Sequence, residues 1–228
     1  FAEIVDYIHE KNMISVATPF DNDSVKTFVD LNVQVLKIAS CSNDDWPLLE
    51  EVSKLDRKII ISTGGATIKH LEKVYNLFKD NSRDFSFLHC VAEYPTSPDK
   101  AFLGRIHKLK EEFPDIEIGY SSHESPRMKS VIPFAAAMGA SIIEKHIGKE
   151  TESIKLNEYS CTASDFEKIF EEMNFLDSSI KGDFETSEAL QKLKRGIYCK
   201  RDIKSGDKVS EDDFYFAMPC RIGARAGG

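Results

Sequence analysis

The feature that most constrains the fold is a regular alternation of short β-branched runs with stretches of helical periodicity. The strand-like runs lie at 13–20, 33–40, 58–65, 85–90, 116–123 and 140–147. The stretches with an apolar helical face lie at 1–12, 24–33, 66–80, 102–113, 128–139 and from Ser164 onward. Strands that alternate with helices predict βαβ units, and therefore an α/β protein with a parallel sheet.

Two parallel architectures fit this alternation, an open doubly wound sheet and a (β/α)8 TIM barrel. The first strand is not followed by GxGxxG, which disfavours a dinucleotide-binding open sheet. Polar clusters follow almost every strand, and a barrel gathers the carboxyl ends of all its strands around one mouth. We therefore predict a TIM barrel with six of its eight strands present.

The start of the chain bears on the missing strands. Phe1 stands in place of a Met and lies inside a predicted helix. We expect the chain to be a piece of a longer protein, with two more strands upstream. A barrel lacking two strands exposes two sheet edges, so we expect the piece to fold poorly alone.

Composition excludes several classes of protein. A net charge of −8 disfavours a nucleic-acid surface, and no apolar run is long enough to span a bilayer. The five cysteines are scattered and form no CxxC, which predicts reduced thiols in a cytoplasmic protein.

Composition also changes along the chain. We predict a barrel domain over 1–176, a linker over 177–192 and the start of a small second domain over 193–228. Ser164, with Glu167 three residues later, predicts the cap of the last barrel helix. Residues 191–228 carry nine Lys and Arg against five Asp and Glu. This basic segment either covers an anionic substrate or is an ordinary solvated surface.

Three histidines follow strands and are candidate metal ligands. His123 and His146 end consecutive strands, so their imidazoles could share one divalent cation. The alternative is that each is hydrogen-bonded at the mouth without a metal. Glu144 shares a strand face with His146 and is a candidate ligand, orienting group or base. His89 is a third candidate, with a buried hydrogen-bonded role as its alternative.

A second set of residues predicts an anion site. Lys37 ends a strand and could clamp a phosphate or carboxylate, form a Schiff base, or pack its stem. Ser40, Ser62, Thr63 and Gly64 supply small donors near the start of a helix, although such residues also serve simple turns. The loop residue Tyr94 is a candidate substrate contact.

The order of these motifs resembles the sialic acid synthase family over about residues 1–175. The similar segments are TPF (18–20), KIAS (37–40), PLL (47–49), ISTGGAT (61–67), LHC with YPT (88–96), IGYSSHE (118–124) and GASIIEKH (139–146). The segment IYCKRDIKSGDKVSEDDF (197–214) resembles the start of the small antifreeze-like (SAF) domain of that family.

The resemblance implies condensation of phosphoenolpyruvate with an N-acetylated amino sugar such as N-acetylmannosamine, giving a nine-carbon 2-keto sugar acid and phosphate. It implies that His123 and His146 hold a divalent metal, usually Mn²⁺, with Mg²⁺ or Co²⁺ as alternatives. Glu144 joins them as a catalytic residue near the sugar. The substrate-binding positions that it implies are Thr18, Lys37, Ser40, Ser62, Tyr94 and Ser121. It also implies a homodimer whose SAF domain covers the partner's site, and it removes the Schiff-base role of Lys37.

The chain departs from the family pattern at several positions. Ser121-Ser122-His123-Glu124 stands where the family has Ser-Asp-His-Thr. A family Asp that contacts the sugar falls at Leu156 or Asn157, and a family Asn falls at Ala92. The family's missing first two strands carry a catalytic Glu and a phosphate-binding Lys. Arg221 and Arg225 are candidate replacements for the arginine of the SAF domain.

These departures leave three alternatives open. The first is a legionaminate- or pseudaminate-type synthase. The second is a degenerate barrel that only binds a ligand or partner. The third is a metal-dependent barrel hydrolase, which would be expected to carry more carboxylate or histidine ligands at its strand ends.

Overall fold

The computed structural model describes residues 1–128, 130–180 and 188–220, and all of their side chains except those at 191 and 192. The chain forms two compact units, Phe1–Ser179 and Ile180–Gly228, and each is described by itself. In the described residues, no helix is both long and apolar enough to cross a membrane.

The first unit confirms all of the predicted strands. They are β1 Val16–Ala17, β2 Val35–Ile38, β3 Lys58–Ser62, β4 Phe85–Cys90, β5 Glu117–Ser122 and β6 Ile143–Lys145. The helices are α1 Ala2–Glu10, α2 Asn22–Asp30, α3 Trp46–Val52, α4 Ile68–Asp80, α5 Gly104–Glu112, α6 Val131–Ala137 and α7 Ala163–Ile180. Of these, α3 is the helix that our sequence analysis did not predict.

The six strands form one parallel sheet in the order β1-β2-β3-β4-β5-β6. This order never reverses, so the sheet has no switch point of the doubly wound kind. Lys37 on β2 and Glu144 on β6 nevertheless form an ion pair of 3.3 Å. Four strand spacings in a flat sheet would separate these strands by about 19 Å. The sheet is therefore curled, and the α/β half-barrel that we predicted is confirmed.

The two faces of the sheet differ in chemistry because side chains alternate along each strand. Most helix-facing side chains of the strands are apolar and build the core with α4 and α5. They include Leu36, Ile38, Ile59, Ile61, Phe85, Phe87, Ile118 and Tyr120. The opposite face, which lines the interior of the curl, carries Lys37, Ser62, Cys90, Ser121 and Glu144. The fold thus places these candidate site residues on the concave face.

The cap of α7 differs from the prediction. Thr162 Oγ1 accepts a hydrogen bond from the Asp165 N–H at 3.2 Å, and the Asp165 carboxylate accepts one from the Thr162 N–H at 3.1 Å. This reciprocal pair lies two residues before the predicted Ser164–Glu167 box. The helix also continues to Ile180, beyond the predicted barrel boundary at 176.

The second unit contains α8 Glu188–Leu193 and a hairpin of β7 Gly196–Cys199 with β8 Phe214–Ala217. The hairpin is antiparallel, with Gly196 opposite Ala217. The strand predicted after residue 195 is therefore present, whereas α8 lies in the segment predicted as linker. Arg201 holds the connection between the strands through an ion pair of 2.6 Å to Asp213 and one of 3.3 Å to Asp207.

Candidate functional site

The polar residues of the concave face meet at the carboxyl end of the sheet. Cys90, Ser121 and Glu144 lie side by side, since Cys90 is in register with Ser121 and Ser121 with Glu144. His123 follows this row on β5, and His146 follows it on β6. The strand ends therefore bring the predicted histidines and the predicted anion-binding residues to one edge.

Lys37 is the centre of the predicted anion site. Its Nζ donates a hydrogen bond to Ser62 Oγ at 3.0 Å and lies 3.3 Å from Glu144 Oε2. The Lys37 side chain is only 12% exposed, whereas the Glu144 side chain is 39% exposed. The contact lacks hydrogen-bond alignment, so Glu144 Oε2 is buried without a hydrogen-bond partner among the described residues. An ammonium with three donors retains the capacity to bind an anion here.

The turn after β3 is held by residues from the turn after β2. Ser40 Oγ accepts a hydrogen bond from the Gly64 N–H at 3.1 Å. Asn43 Nδ2 donates to the carbonyl groups of Ser62 and Gly64, each at 3.2 Å. Thr63 Oγ1 donates a hydrogen bond to the Leu88 carbonyl, so this hydroxyl stabilises the contact between β3 and β4. Asn43 was missed by the sequence analysis, because an Asn after a strand is equally typical of an ordinary turn.

The two predicted metal ligands face each other. The ring centroids of His123 and His146 are 5.2 Å apart, with planes inclined at 47°. Tyr94 packs on His123 at 4.3 Å, and Tyr159 packs on His146 at 5.0 Å. Tyr159 was missed because its contact depends on the path of the loop after β6, which no short sequence pattern reports.

Burial shifts the pKa values of His123 and Cys90 in this cluster. His123 is buried, which lowers the pKa of its imidazole, and the neighbouring His146 lowers that pKa further. The neutral ring is the form that binds a metal. Cys90 lies 3.9 Å from His123 Nδ1, and burial raises the pKa of its thiol. Cys90 is therefore a protonated neighbour of the site, and our sequence analysis did not include it among the site residues.

The donor set fits a metal that leaves most of its coordination positions open. Within the described parts of the chain, no group of three or more His, Cys, Asp or Glu side chains is arranged around a possible metal position. Two imidazoles remain, with the unbonded Glu144 oxygen near them. A closed structural zinc site would need four protein ligands. Two imidazoles instead suit a catalytic cation that also binds water and substrate.

Two further candidates lie outside the pair of histidines. His89 faces the helices, where Nε2 bonds to the Ala101 carbonyl at 2.8 Å and the ring packs on Tyr120. Burial lowers the pKa of His89, and its buried alternative role is the one that the structure supports. Thr18 follows β1 at one edge of the sheet and lines an apolar cavity of about 800 Å³.

The remaining candidate positions lie in loops or in the tail. Leu156 and Asn157 line a polar cavity of about 610 Å³, together with Arg127 and Glu150. Arg221 and Arg225 lie outside the described residues.

Comparison with known proteins places this geometry in a family. The sequence profile of the NeuB family matches residues 1–183. The chain is 35% identical over 147 residues to the N-acetylneuraminate-9-phosphate synthase of Mus musculus, covering 64% of this chain and 40% of the mouse protein. It is 28% identical over 228 residues to the N,N'-diacetyllegionaminic acid synthase of Campylobacter jejuni, covering 95% of this chain and 67% of the relative.

A solved structure extends the similarity to three dimensions. The N-acetylneuraminic acid (sialic acid) synthetase of Leptospira borgpetersenii, crystallised in complex with citrate, superimposes with a TM-score of 0.77 and 30% identity. The match covers 84% of this chain and 67% of that one. The chain thus spans at most about two thirds of the length of these relatives. The profile match over residues 1–183, together with this shared fold, shows that the chain belongs to the NeuB family.

Proposed function

We propose that the protein containing this chain condenses phosphoenolpyruvate with an N-acetylated amino sugar, N-acetylmannosamine or a relative. The product is a nine-carbon 2-keto sugar acid such as N-acetylneuraminate, and phosphate is released. The observation that carries the proposal is the position of the half-buried Lys37, whose ammonium contacts Ser62 and Glu144 at the strand ends that also carry the His123–His146 pair. The names of the relatives, which are sugar acid synthases, support the same reaction class.

The anion end of the site would bind phosphoenolpyruvate. Lys37 supplies a fixed positive charge for its phosphate or carboxylate, and its ammonium already bonds to the Ser62 hydroxyl. Ser40 and Ser121 are hydrogen-bonding neighbours of Cys90 on the same face. Bonds from an ammonium to such an anion are charge-assisted and therefore stronger than neutral ones. The low exposure of Lys37 strengthens them further because water screens the charges less.

The other end would bind the sugar. His123 and His146 are the proposed ligands of a divalent metal, of which Mn²⁺ is the first candidate and Mg²⁺ or Co²⁺ are alternatives. When bound, such a cation polarises the sugar aldehyde as a Lewis acid. Tyr94 packs on the ring of His123 and Tyr159 packs on the ring of His146, and His146 stays open to solvent. Glu144 Oε2 is free to accept a hydrogen bond from a sugar hydroxyl.

The proposed bond changes balance without an external oxidant or reductant. The electron pair of the phosphoenolpyruvate double bond forms a carbon–carbon bond from the methylene carbon to the aldehyde carbon. Water adds at the enol carbon, and phosphate leaves with the bridging oxygen as that C–O bond breaks. The aldehyde oxygen becomes a hydroxyl group of the product.

A second candidate function differs only in the sugar. The similarity to the Campylobacter jejuni legionaminic acid synthase covers nearly the whole chain, which favours a legionaminate- or pseudaminate-type substrate as the alternative. Leu156 and Asn157 leave the loop after β6 without the family's acidic sugar contact, in agreement with a different sugar. We further propose that a second copy of the protein completes the site, because residues 197–214 resemble the SAF domain. We also propose that Thr18 lines the site.

The test is phosphate release by the natural full-length protein. Phosphoenolpyruvate is supplied with N-acetylmannosamine, with and without Mn²⁺, and then with a panel of related amino sugars. We expect release to require sugar, metal and His123, so that His123→Ala abolishes it. His107→Ala is the matched control, since His107 is exposed on α5 and its ion pair in the described part of the chain is with Glu111 on the same helix. No release with any amino sugar by the folded protein would favour the degenerate binding protein instead.

A further inference from the structure

Behind the two histidines lies a buried network of Tyr120, Ser122, Glu124 and Lys145. The Glu124 carboxylate accepts hydrogen bonds from Ser122 Oγ, at 2.6 Å, and from the Tyr120 hydroxyl. Lys145 Nζ donates to Ser122 Oγ at 3.1 Å and to the Glu124 carbonyl. Glu124 is only 2% exposed, so its charge is held by these donors and not by water.

The network joins the two strand ends that carry the histidines. Ser122 and Glu124 flank His123 in sequence, and Lys145 lies between Glu144 and His146. Ser122 and Lys145 are also in register across β5 and β6. Alternation along the strands turns these side chains away from the concave face, so they hold the backbone while His123 and His146 point to the site.

The network has no room for a ligand of its own. The cavity beside Ser122, Glu124 and Lys145 measures about 10 Å³, which is the size of a single water molecule. Its polar groups are also satisfied by one another. The function of the network must therefore be exerted through the residues next to it.

We propose that Glu124 is a positioning residue, which acts with Lys145 to fix the distance and inclination of the His123 and His146 rings. This inference rests on the proposed function, because it assigns the network to the metal-binding pair of that site. It also accounts for the exchange of Ser-Asp-His-Thr for Ser121-Ser122-His123-Glu124. Positions 122 and 124 share one face, so a carboxylate reaches the same network from either position.

The exchange provides the rescue experiment. We compare the wild-type protein with Glu124→Gln and with the reciprocal double variant Ser122→Asp/Glu124→Thr, in the natural full-length protein labelled with ¹⁵N-histidine. Glu117→Gln is the control, since Glu117 lies at the exposed start of β5 and pairs with Lys58. The readouts are the ring resonances of His123 and His146, the Mn²⁺ dissociation constant and the melting temperature.

We expect Glu124→Gln to shift both sets of ring resonances and to weaken Mn²⁺ binding by about 10- to 100-fold, the usual effect of losing a group that orients metal ligands. The double variant should restore the ring resonances and the Mn²⁺ affinity. The ring resonances of His9 and His107 should stay unchanged in every variant. Should Glu124→Gln fail to fold, Tyr120→Phe removes one hydrogen bond only and should weaken Mn²⁺ binding about threefold to tenfold.

Three outcomes would overturn the inference. The first is unchanged ring resonances in a folded Glu124→Gln or Tyr120→Phe protein. The second is a lower melting temperature with unchanged Mn²⁺ affinity, which would make the network a purely structural one. The third is a folded double variant that restores neither readout. Failure of the wild-type protein to bind Mn²⁺ would count against the proposed function, whereas the ring resonances would still decide the positioning role.

Discussion

Lys37 is the residue that brings distant strands into one site. Its ammonium reaches from β2 to Glu144 on β6 and also holds the Ser62 hydroxyl. The sequence predicts Lys37 near a strand end, because KIAS closes an apolar run. It does not predict the partner Glu144, since that contact depends on how strongly the sheet curls. Tyr159 was missed for a different reason, because its contact depends on the path of the loop after β6.

Replacing this charge should weaken phosphoenolpyruvate binding. Lys37→Met keeps most of the stem but removes the ammonium, so we expect kcat/KM for phosphoenolpyruvate to fall by about 10- to 150-fold. The measurement is steady-state phosphate release at varied phosphoenolpyruvate. Lys26→Met is the control, because Lys26 is exposed and pairs only with a neighbour on its own helix, Asp23. An unchanged kcat/KM in the Lys37 variant would contradict the anion site.

Gly64 is required by the packing of Ser40. A Cβ at Gly64 would lie 2.6 Å from Ser40 Oγ, so Gly64→Ala must displace the hydroxyl that accepts the Gly64 N–H. We expect a loss of about 1–3 kcal/mol in the free energy of unfolding, measured in urea. Gly104→Ala is the matched control, since no atom lies within 4 Å of its Cβ. The free energy of unfolding of the Gly104→Ala variant should rise by about 0.4–1 kcal/mol. Equal losses of this free energy in both variants would contradict the packing argument.

At the scale of elements, strands and long helices follow from sequence periodicity, whereas helix ends and short helices do not. The strand β4 Phe85–Cys90 has the predicted bounds, and the charged residues Arg83 and Asp84 precede its apolar run. The seven-residue α3 lacks a full apolar repeat, and its start depends on the Asp45 carboxylate, which accepts the Leu48 N–H. For α7, Thr162 and Ser164 both fit a cap pattern, and the structure selects Thr162.

The choice between these caps can be measured. Thr162→Ala removes the side chain that accepts the Asp165 N–H, so we expect it to lower the free energy of unfolding by about 1 kcal/mol. Ser164→Ala lies inside the helix and should change it by less than about 0.5 kcal/mol. Urea unfolding of the two variants provides the comparison. A larger loss of stability in Ser164→Ala than in Thr162→Ala would identify Ser164 as the cap.

The hairpin of the second unit should respond to acid through Asp213. Hydrogen bonds from Arg201 lower the pKa of Asp213 to about 2 from its usual 3.8. Because the folded pKa lies below the unfolded one, this pair stabilises the hairpin above pH 3.8. That stabilisation is lost as the pH falls through about 2.

Carboxyl ¹³C NMR can follow this titration directly. Arg201→Gln should raise the pKa of Asp213 towards its usual value, whereas Lys200→Gln should leave the pKa of Asp213 unchanged. A wild-type Asp213 that titrates at the usual value would contradict the described ion pair.

At the scale of the whole molecule, the fold class could be predicted because strand and helix periods alternate along most of the first unit. The location of the site also followed, since the carboxyl ends of parallel strands share one edge. The roles of the site residues do not follow from either fact. These roles rest on the proposal that Lys37 binds phosphoenolpyruvate while the metal held by His123 and His146 binds the sugar.

The most direct test of that proposal follows the bridging oxygen of phosphoenolpyruvate. The natural full-length protein is given phosphoenolpyruvate labelled with ¹⁸O at that atom, together with Mn²⁺ and N-acetylmannosamine or the sugar that the panel selects. Mass spectrometry of the released phosphate then gives the position of bond cleavage. We predict that the label leaves with phosphate, in amounts equal to the 2-keto sugar acid formed and only when sugar is present. Unlabelled phosphate, released with pyruvate and without any need for sugar, would mean P–O cleavage by a hydrolase and would contradict the account.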